Sequence, residues 1–348
     1  MAAKIESANT SARKFLITIL VFIGLVVTIG GITRLTRSGL SIADWKVVTG
    51  IVPPLSTEAW QAEFNQYKTT VEYKKLRSGM TLDEFKFIFF WEYLHRIVAR
   101  IIGLLALGFT FLYFRKIPAH LRWHTIFIPA MVILQGTIGY LMVRSGYKDI
   151  PHVSHFMLAI HLGLAFITAM SVLHLYFNLL PPVSRLHNLA RLGKDRKKVI
   201  AVFIVLSLQI LYGAFVAGKR AGLIFNEWPL MGGNYVPAGL MSLPGIFENL
   251  LANSVMLQFI HRNLAIVLTL MIFFSAVQSW RNQASREIKT FWAAFSSLIL
   301  VQFILGVLTL IYVVPTTLGV IHQTTAYFLI LLGYTGLYFA VIHREKEI

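Results

Sequence analysis

Hydrophobic residues are gathered along this chain into eight long segments, separated by shorter stretches rich in charged, glycine or proline residues. A transmembrane helix needs about 20 mainly apolar residues, and each segment approaches or exceeds that length. The segments lie near residues 15–36, 86–113, 124–143, 153–178, 198–218, 252–278, 290–313 and 317–342. The pattern therefore predicts an all-α polytopic membrane protein with eight transmembrane helices.

Two of the segments carry polar residues in the same order. They are FIFFWEYLHRIVARIIGL (87–104) and VMLQFIHRNLAIVLTL (255–270). The shared positions are Glu92, His95 and Arg96 in the first and Gln258, His261 and Arg262 in the second. A charge at the bilayer centre costs about 2.5–3.5 kcal/mol on insertion scales. One set alone would suit a buried ion pair, since Glu92 and Arg96 are four residues apart on a helix, but a second copy favours a functional site.

The two halves of the chain repeat each other. At a spacing of 183 residues, Gly30, Arg37, Gly39, Leu40, Asp44, Trp45 and Pro54 are matched by Gly213, Arg220, Gly222, Leu223, Glu227, Trp228 and Pro237. A Gln-x-x-x-Gly pattern also begins at Gln135, Gln209 and Gln302. We predict two four-helix bundles, residues 1–180 and 198–348, related by a pseudo-two-fold axis. A cytoplasmic linker at 181–197 joins them.

The net charge of +17 could suggest a nucleic-acid partner. The basic residues, however, gather in alternate short loops, a pattern typical of membrane orientation, and it predicts that both termini are cytoplasmic. The opposite loops are charge-mixed (37–85), neutral (314–316), or rich in Gly and Pro (219–250). The chain has no cysteine, which excludes disulfides, a thiolate haem ligand and a Cys-bound metal centre.

Four of the eleven histidines form a set, two in each half: His95, His161, His261 and His322. Each lies about six to ten residues from the outer end of its helix, or about 9–15 Å below the outer surface. Two histidines that face each other across a four-helix bundle commonly hold a haem iron. The alternative is polar contact between helices. The other histidines are expected to be structural: His120, His124, His152, His155, His174, His187 and His343.

Anionic haem propionates would need cationic partners. The repeat offers four arginines, Arg37 and Arg220 near the outer interface and Arg96 and Arg262 deeper in the helices. Snorkelling to the interface explains the outer pair equally well. The two halves also differ, because the first has an ionisable Glu92 where the second has Gln258, which cannot titrate. The first site is therefore predicted to be reactive and the second to hold its ligand only.

The residues also resemble a known family, haem A synthase, in its cysteine-free, mitochondrial-type and proteobacterial branch. The resemblance rests on GGITRLTRSGLSIADWKVVTGIVPPLS (30–56), YKKLRSGMTLDEFKFIFFWEYLHRIVARIIG (73–103), QGTIGYLMVRSG (135–146), LYGAFVAGKRAGLIFNEWPLM (211–231), FIHR (259–262) and IHQTTAY (321–327). It implies an oxidoreductase that converts the C8 methyl group of haem O, by successive hydroxylations and loss of water, to the formyl group of haem A for terminal cytochrome oxidases.

The resemblance also implies roles for single residues. His261 and His322 would hold a haem b cofactor, His95 and His161 would take the substrate haem O, and Glu92 would be needed for turnover. Besides haem O and the lipid bilayer, the candidate partners are haem O synthase, cytochrome oxidase assembly factors and a second copy of the chain, with no nucleic acid. No signal or transit peptide is evident, which favours a bacterial cytoplasmic (inner) membrane with the haem sites toward the periplasm.

Two other functions compete with this one. A quinol-linked, bis-histidine cytochrome b would place haems near both membrane faces, and only His124 and His174 are available near the inner face. A transporter of haem or of another small molecule would favour helices interrupted at mid-membrane, and the sequence shows no such pair.

Overall fold

The computed structural model describes residues 2–44, 49–146, 153–181 and 184–342. Within these ranges the protein is helical, and its one strand-like feature is an isolated bridge between Met231 and Asn234. The helices in chain order are α1 (Ala2–Leu35), α2 (Thr57–Lys68), α3 (Val71–Leu76), α4 (Leu82–Tyr113), α5 (Arg122–Ser145), α6 (His155–Asn178), α7 (Arg196–Gly218), α8 (Ile246–Ala252), α9 (Ser254–Arg281), α10 (Arg286–Ile311) and α11 (Thr316–Leu337). A π-helical turn, Tyr338–Ile342, follows α11.

Eight of these helices are long and apolar enough to cross a membrane, which confirms the predicted fold class. Large apolar side chains remain exposed along them, as at Phe111 in α4, which is 88% exposed. In a lipid bilayer such side chains face hydrocarbon, so their exposure is expected.

The two helices that carry the repeated polar pattern begin at strong capping residues. At the start of α4, Thr81 Oγ1 accepts the backbone N–H of Glu84, and the Glu84 carboxylate accepts the N–H of Thr81. At the start of α9, the side chain of Asn253 accepts the backbone N–H groups of Val255 and Met256. Such caps each contribute about 1 kcal/mol.

Three short helices were not predicted from the sequence: α2, α3 and α8. They lie in the long polar loops, where hydrophobic periodicity is weak. Ser56 and Thr70 cap α2 and α3 by accepting the N–H groups of Ala59 and Tyr73. An aromatic cluster fastens this pair of helices onto the start of α4; its members are Trp60, Phe64, Tyr67, Tyr73, Phe85 and Phe89.

The chain divides into two compact units. One comprises Lys14–Thr168, and the other comprises Ala169–Ile348 together with Met1–Arg13. Within the second unit, Arg13 donates a hydrogen bond to the Leu179 carbonyl at 2.6 Å, which ties the start of α1 to the end of α6. Part of the predicted linker, Arg185–Asp195, forms 3₁₀ turns that pack on the π-helical turn after α11.

Candidate functional site

The first histidine pair lies in the unit Lys14–Thr168. His95 is on α4 and His161 is on α6, and their imidazoles are close enough to interact electrostatically. His161 rests against α5, where the Gln135 side-chain amide lies 3.2 Å from its Nδ1 and donates to its backbone carbonyl at 2.9 Å. A methyl group built on Gly139 would lie 3.0 Å from His161 Cε1, so the ring touches the α5 backbone.

The second pair, His261 on α9 and His322 on α11, lies within the other unit, and these imidazoles also interact electrostatically. His261 rests against α7, with the Gln209 amide 3.4 Å from Nε2 and the Gln209 carbonyl 3.2 Å from Nδ1. The carbonyl can only accept, so Nδ1 carries the proton and donates it.

His322 rests against α10 with the same amide and glycine contacts that His261 makes with α7, but its Nδ1 is buried without a hydrogen bond. The Gln302 amide lies 3.3 Å from its Nε2, and a methyl group on Gly306 would lie 3.0 Å from its Cε1. The corresponding distance from Gly213 to His261 Cε1 is also 3.0 Å.

We call a Gln and a Gly four residues apart that contact one imidazole a Gln–Gly seat. The seats are Gln135/Gly139 for His161, Gln209/Gly213 for His261 and Gln302/Gly306 for His322. Residues four apart lie on one helix face, so the glycine lets the ring approach while the glutamine holds its edge. The sequence showed this spacing as a repeat, but not that it supports the histidines.

Glu92 lies one turn before His95 on α4, is 3% exposed, and is fully engaged. Its Oε2 accepts from Ser41 Oγ at 2.7 Å and from the Ile42 N–H at 2.9 Å. Its Oε1 accepts from Arg96 at 2.5 Å, the ion pair that their spacing allows. The carboxylate therefore has one defined position and fastens α4 to the turn that follows α1.

Gln258 occupies the equivalent place on α9 and is 2% exposed. Its amide donates to the Phe225 carbonyl at 2.9 Å, and its Oε1 is buried without a hydrogen bond. Phe225 is 183 residues after Ile42, so both side chains contact the same position of the repeat. One accepts from a backbone N–H, and the other donates to a backbone C=O.

The deeper arginines bind the loops that cover their own units. Arg96 donates to the Ile42 carbonyl at 3.3 Å as well as to Glu92. Arg262, which is 8% exposed, donates to the carbonyls of Pro229 and Leu230 and lies over the Trp228 ring. Its Nη1 is buried without a hydrogen bond.

The other two arginines of the repeat both adopt left-handed backbone, with φ of 55° at Arg37 and 52° at Arg220. Each follows the first helix of its half, so the repeated sequence takes the same local turn twice. Arg77 donates to the carbonyls of Thr36 and Arg37, which anchors the loop region between α1 and α4 on the end of α1.

A cavity of about 440 Å³ lies beside α4, beneath the loop region between α1 and α4. Tyr93, Arg96 and Arg100 line it from the helix, and Pro53 and Pro54 line it from the loop. Arg96 follows His95 by one residue, or about 100° around the helix. The cavity therefore borders a face of α4 next to the one that carries His95.

A buried acid in the loop region between α1 and α4 was not singled out from the sequence. Glu72 is 4% exposed and lies 3.8 Å from the Arg77 guanidinium. Its Oε2 and the nearby Tyr67 hydroxyl are both buried without a hydrogen bond of good geometry. Burial raises the pKa of the Glu72 carboxyl to about 7, against the opposing effect of Arg77.

The remaining histidines have other surroundings. His174 Nδ1 lies 2.8 Å from the Tyr334 hydroxyl and its ring packs against Tyr338. His124, 9% exposed, stacks on Trp123, and His155 packs on Phe156. His152 and His343, like Trp45 of the repeat, lie outside the described residues.

Comparison with known proteins matches residues 13–333 to the COX15-CtaA family, described as cytochrome oxidase assembly protein. The chain is 38% identical over 332 residues to the "Heme A synthase" of Flavobacterium johnsoniae, which covers 93% of this chain and 96% of that protein. It is also 38% identical over 347 residues to the protein of the same name from Rhodospirillum centenum, which covers 98% of this chain and 91% of that one. A third such protein, from Flavobacterium psychrophilum, is 39% identical over 334 residues, which covers 92% of this chain and 96% of that one.

Proposed function

This chain belongs to the COX15-CtaA family of cytochrome oxidase assembly proteins, and on that premise we propose that it is a haem A synthase. It is a membrane oxidoreductase that converts the C8 methyl group of haem O to the formyl group of haem A by successive hydroxylations. Its relatives of the same name match nearly the whole chain, which supports the same activity here.

The observation that carries the proposal is the pairing of four histidines, two in each unit, with different neighbours. His95 and His161 take the substrate haem O, next to Glu92. His261 and His322 hold a haem b cofactor, next to Gln258. An apolar helical bundle with two facing imidazoles suits a haem iron.

The second unit fits a haem by its donors. His261 donates its Nδ1 proton to the Gln209 carbonyl, which leaves Nε2 as the nitrogen suited to bind iron. Arg262 Nη1 is buried without a hydrogen bond and would suit a propionate. When bound, haem b supplies one-electron transfer. Arg220 is the outer candidate for the second propionate.

In the first unit, Arg96 is the deeper candidate for a substrate propionate because it also lines the cavity beside α4. Arg37 is the outer candidate. Glu92 is held by three donors at one place in an apolar environment. We assign to its carboxylate the acceptance of a proton from the reacting methyl group or the stabilisation of positive charge that develops there.

The family description supports a place for this protein in cytochrome oxidase assembly, and the eight membrane spans with its bacterial relatives support a bacterial inner membrane. In this proposal both termini are cytoplasmic and the haem sites lie toward the periplasm. Haem O synthase would deliver the substrate, and assembly factors of the oxidase would receive haem A.

The test is the haem content of the purified protein after expression with and without a supply of haem O. Acid extraction and chromatography identify the haems. We expect haem b alone without the supply, and haem O, a hydroxylated intermediate or haem A in addition when it is present. Two equivalents of haem b under both conditions would overturn the proposal in favour of an electron-transfer cytochrome b.

A further inference from the structure

Glu72 and Glu92 are the only buried acids in the described part of the chain, 4% and 3% exposed. Both lie in the unit Lys14–Thr168, Glu92 on α4 and Glu72 on α3. Their carboxyl groups are close enough to interact electrostatically. Burial of an ionisable group costs free energy, so two such acids near each other favour a functional role for the pair.

The turn that follows α1 connects the two acids. At one end of the turn, Ser41 Oγ donates to Glu92 Oε2 at 2.7 Å. At the other end, Arg77 donates to the Thr36 carbonyl at 3.1 Å. The same guanidinium lies 3.8 Å from the Glu72 carboxylate. The turn therefore contacts Glu92 directly and Glu72 through one arginine.

This turn carries three hydroxyl groups, those of Thr36, Ser38 and Ser41. Thr36 Oγ1 and Ser38 Oγ are 2.6 Å apart. Ser38 and Ser41 are 0% and 2% exposed. A hydroxyl both donates and accepts hydrogen bonds, so it can take part in a proton relay that ends on carboxyl groups. The turn thus has side chains suited to carry a proton between the two acids.

Solvent lies close to Glu72 on the side away from Glu92. Arg77 lines a cavity of about 300 Å³ at the surface, together with the exposed residues Ser78 and Gly79. Glu72 Oε2 and the nearby Tyr67 hydroxyl are buried without a hydrogen bond of good geometry. A proton on Oε2 would let Glu72 donate to this hydroxyl. The Glu72 site therefore suits a proton that arrives from Glu92 and leaves toward water.

Four titratable or charged groups act on Glu72: Tyr67 from α2, Arg37 from the turn after α1, Arg77 just after α3, and Glu92 from α4. Burial raises the pKa of the Glu72 carboxyl to about 7. Arg77 opposes this rise, and the charge of Glu92 adds to it. Glu72 can therefore both bind and release a proton near neutral pH.

The second unit has neutral amides in the corresponding places. Gln258 stands where the first unit has Glu92, and buried Asn249 and Asn253 hold the loop region between α7 and α9. None of the buried residues described in that unit is an acid. A unit that only holds its haem needs no path for protons, so the pair of buried acids occurs where the reaction is expected.

On the basis of the proposed function, in which Glu92 accepts a proton from the reacting methyl group, we propose that Glu72 takes this proton from Glu92 and releases it to the solvent. In the first step the Glu92 carboxyl becomes a carboxylate and the Glu72 carboxylate becomes a carboxyl. In the second step Glu72 loses the proton to water, and no electron moves in either step. Glu72 acts through Glu92, whose carboxylate is restored for the next oxidation.

The first test measures the two acids without any conversion of haem O. The full-length protein, made without a haem O supply, is titrated from about pH 5 to about pH 9, and the infrared absorption of its protonated carboxyl groups is recorded. We expect a carboxyl group that titrates at about pH 7 and is absent from Glu72→Gln. Glu92→Gln should lower this midpoint, because it removes a negative charge that acts on Glu72.

The second test follows the conversion of haem O by isolated membranes as a function of pH, with extraction and chromatography of the haems. The native rate should rise as pH approaches about 7, because only the ionised Glu72 accepts a proton. Glu72→Gln should keep its haem content, convert haem O about tenfold more slowly and lose this rise. Glu72→Asp keeps a carboxyl group and should recover part of the rate. The control is Glu58→Gln, an exposed acid of α2, which should behave as the native protein does.

The proposal is overturned if Glu72→Gln, folded by circular dichroism and loaded with haem, keeps the native rate and pH profile. It is also overturned if the midpoint of the Glu72 titration does not move in Glu92→Gln, and this result decides should Glu72→Gln not fold. A native protein that forms no haem A at any pH would overturn the proposed function and the role of Glu72 with it. The infrared titration requires no conversion, so the two failures are distinguishable.

Discussion

The surroundings of Glu92 and Gln258 differ at one point of a shared plan. Both residues lie one turn before a paired histidine, and both reach the backbone of the turn after the first helix of their half. In the first half the backbone offers an N–H and Ser41 adds a hydroxyl, so a carboxylate is satisfied. In the second half the backbone offers a C=O and Ile224 replaces the serine, so an amide is required. The two halves therefore differ in hydrogen-bonding character at the position next to the paired histidine, where the first half is expected to be reactive.

The largest effect is expected from Glu92→Gln, which makes the first site resemble the second. A neutral amide can still bond to Ser41 and Ile42, so haem content should change little. Conversion of haem O should fall at least about 100-fold, since a lost acid–base group costs about 10²–10⁴ in rate. Extraction and chromatography of the haems measures both quantities. Loss of all haem from this variant would instead show that Glu92 is structural.

The reverse substitution, Gln258→Glu, tests whether the Phe225 carbonyl requires a hydrogen-bond donor at position 258. A carboxylate would face the Phe225 carbonyl without a hydrogen to donate, so the unit that contains α9 should lose about 1–3 kcal/mol of stability. The control is Gln258→Glu combined with Ile224→Ser, which restores a donor and should recover part of the loss. Thermal unfolding monitored by haem absorbance measures the change in stability of both variants. An unchanged midpoint in the single variant would contradict the comparison.

Two glycine-to-alanine substitutions compare His161, which rests in a Gln–Gly seat, with His95, which does not. Gly139→Ala places a methyl group 3.0 Å from His161 Cε1, and the seat leaves the ring no room to turn. We expect haem content of the first site to fall several-fold. Gly136→Ala on the same helix is the control, because nothing lies within 4 Å of its new methyl group.

In Gly30→Ala, the new methyl group would lie 3.2 Å from His95 Nε2. This variant is the second member of the comparison. Its effect should be smaller than that of Gly139→Ala, because no hydrogen bond within the described residues keeps the His95 ring in place. Haem quantified by extraction ranks these variants. A larger loss in Gly30→Ala than in Gly139→Ala would contradict this ranking.

The smallest effect concerns the long loop that follows the first helix of each half, because the two halves stabilise this loop by different hydrogen bonds. Buried Asn249 and Asn253 fasten the second loop through neutral amide hydrogen bonds. Glu72 is the buried acid of the first loop, and its pKa is raised to about 7 from 4.5. The folded loop therefore binds this proton more tightly than the unfolded chain does, so its stability is greatest below pH 4.5, falls as pH rises from 4.5 to about 7, and stays at that lower level at higher pH.

Hydrogen exchange of residues 57–76 between about pH 5 and about pH 8, corrected for the intrinsic pH dependence of exchange, should show this loss of protection. Glu72→Gln should remove the pH dependence, since the amide does not titrate. Protection of residues 246–252, held by the asparagines, serves as the internal control and should not vary. Equal pH dependence of both segments would contradict the assignment to Glu72.

The parts of the site that depend on nearby residues could be predicted from the sequence. Glu92 and Arg96 are four residues apart, and their ion pair follows from helix geometry alone. The Gln-x-x-x-Gly spacing was visible as a repeat, but its contact with the histidines was not, because 26 residues separate Gln135 from His161 and 52 separate Gln209 from His261. The short helices α2 and α3 were not predicted, because they are stabilised by capping residues and aromatic packing and have no apolar stripe that the sequence could show.

By itself, the sequence determined the eight membrane-spanning helices and the four histidines that its two halves share. Both are local properties: the length of an apolar run in lipid, and the residue types within it. Only the tertiary structure decided which groups each of these side chains contacts. Glu92 accepts a hydrogen bond from Ile42, 50 residues away in the chain, and Gln258 donates one to Phe225, 33 residues away. Only folding brings such distant groups together. The same holds for the Gln–Gly seats, whose glutamines lie 26, 52 and 20 residues from their histidines in the chain.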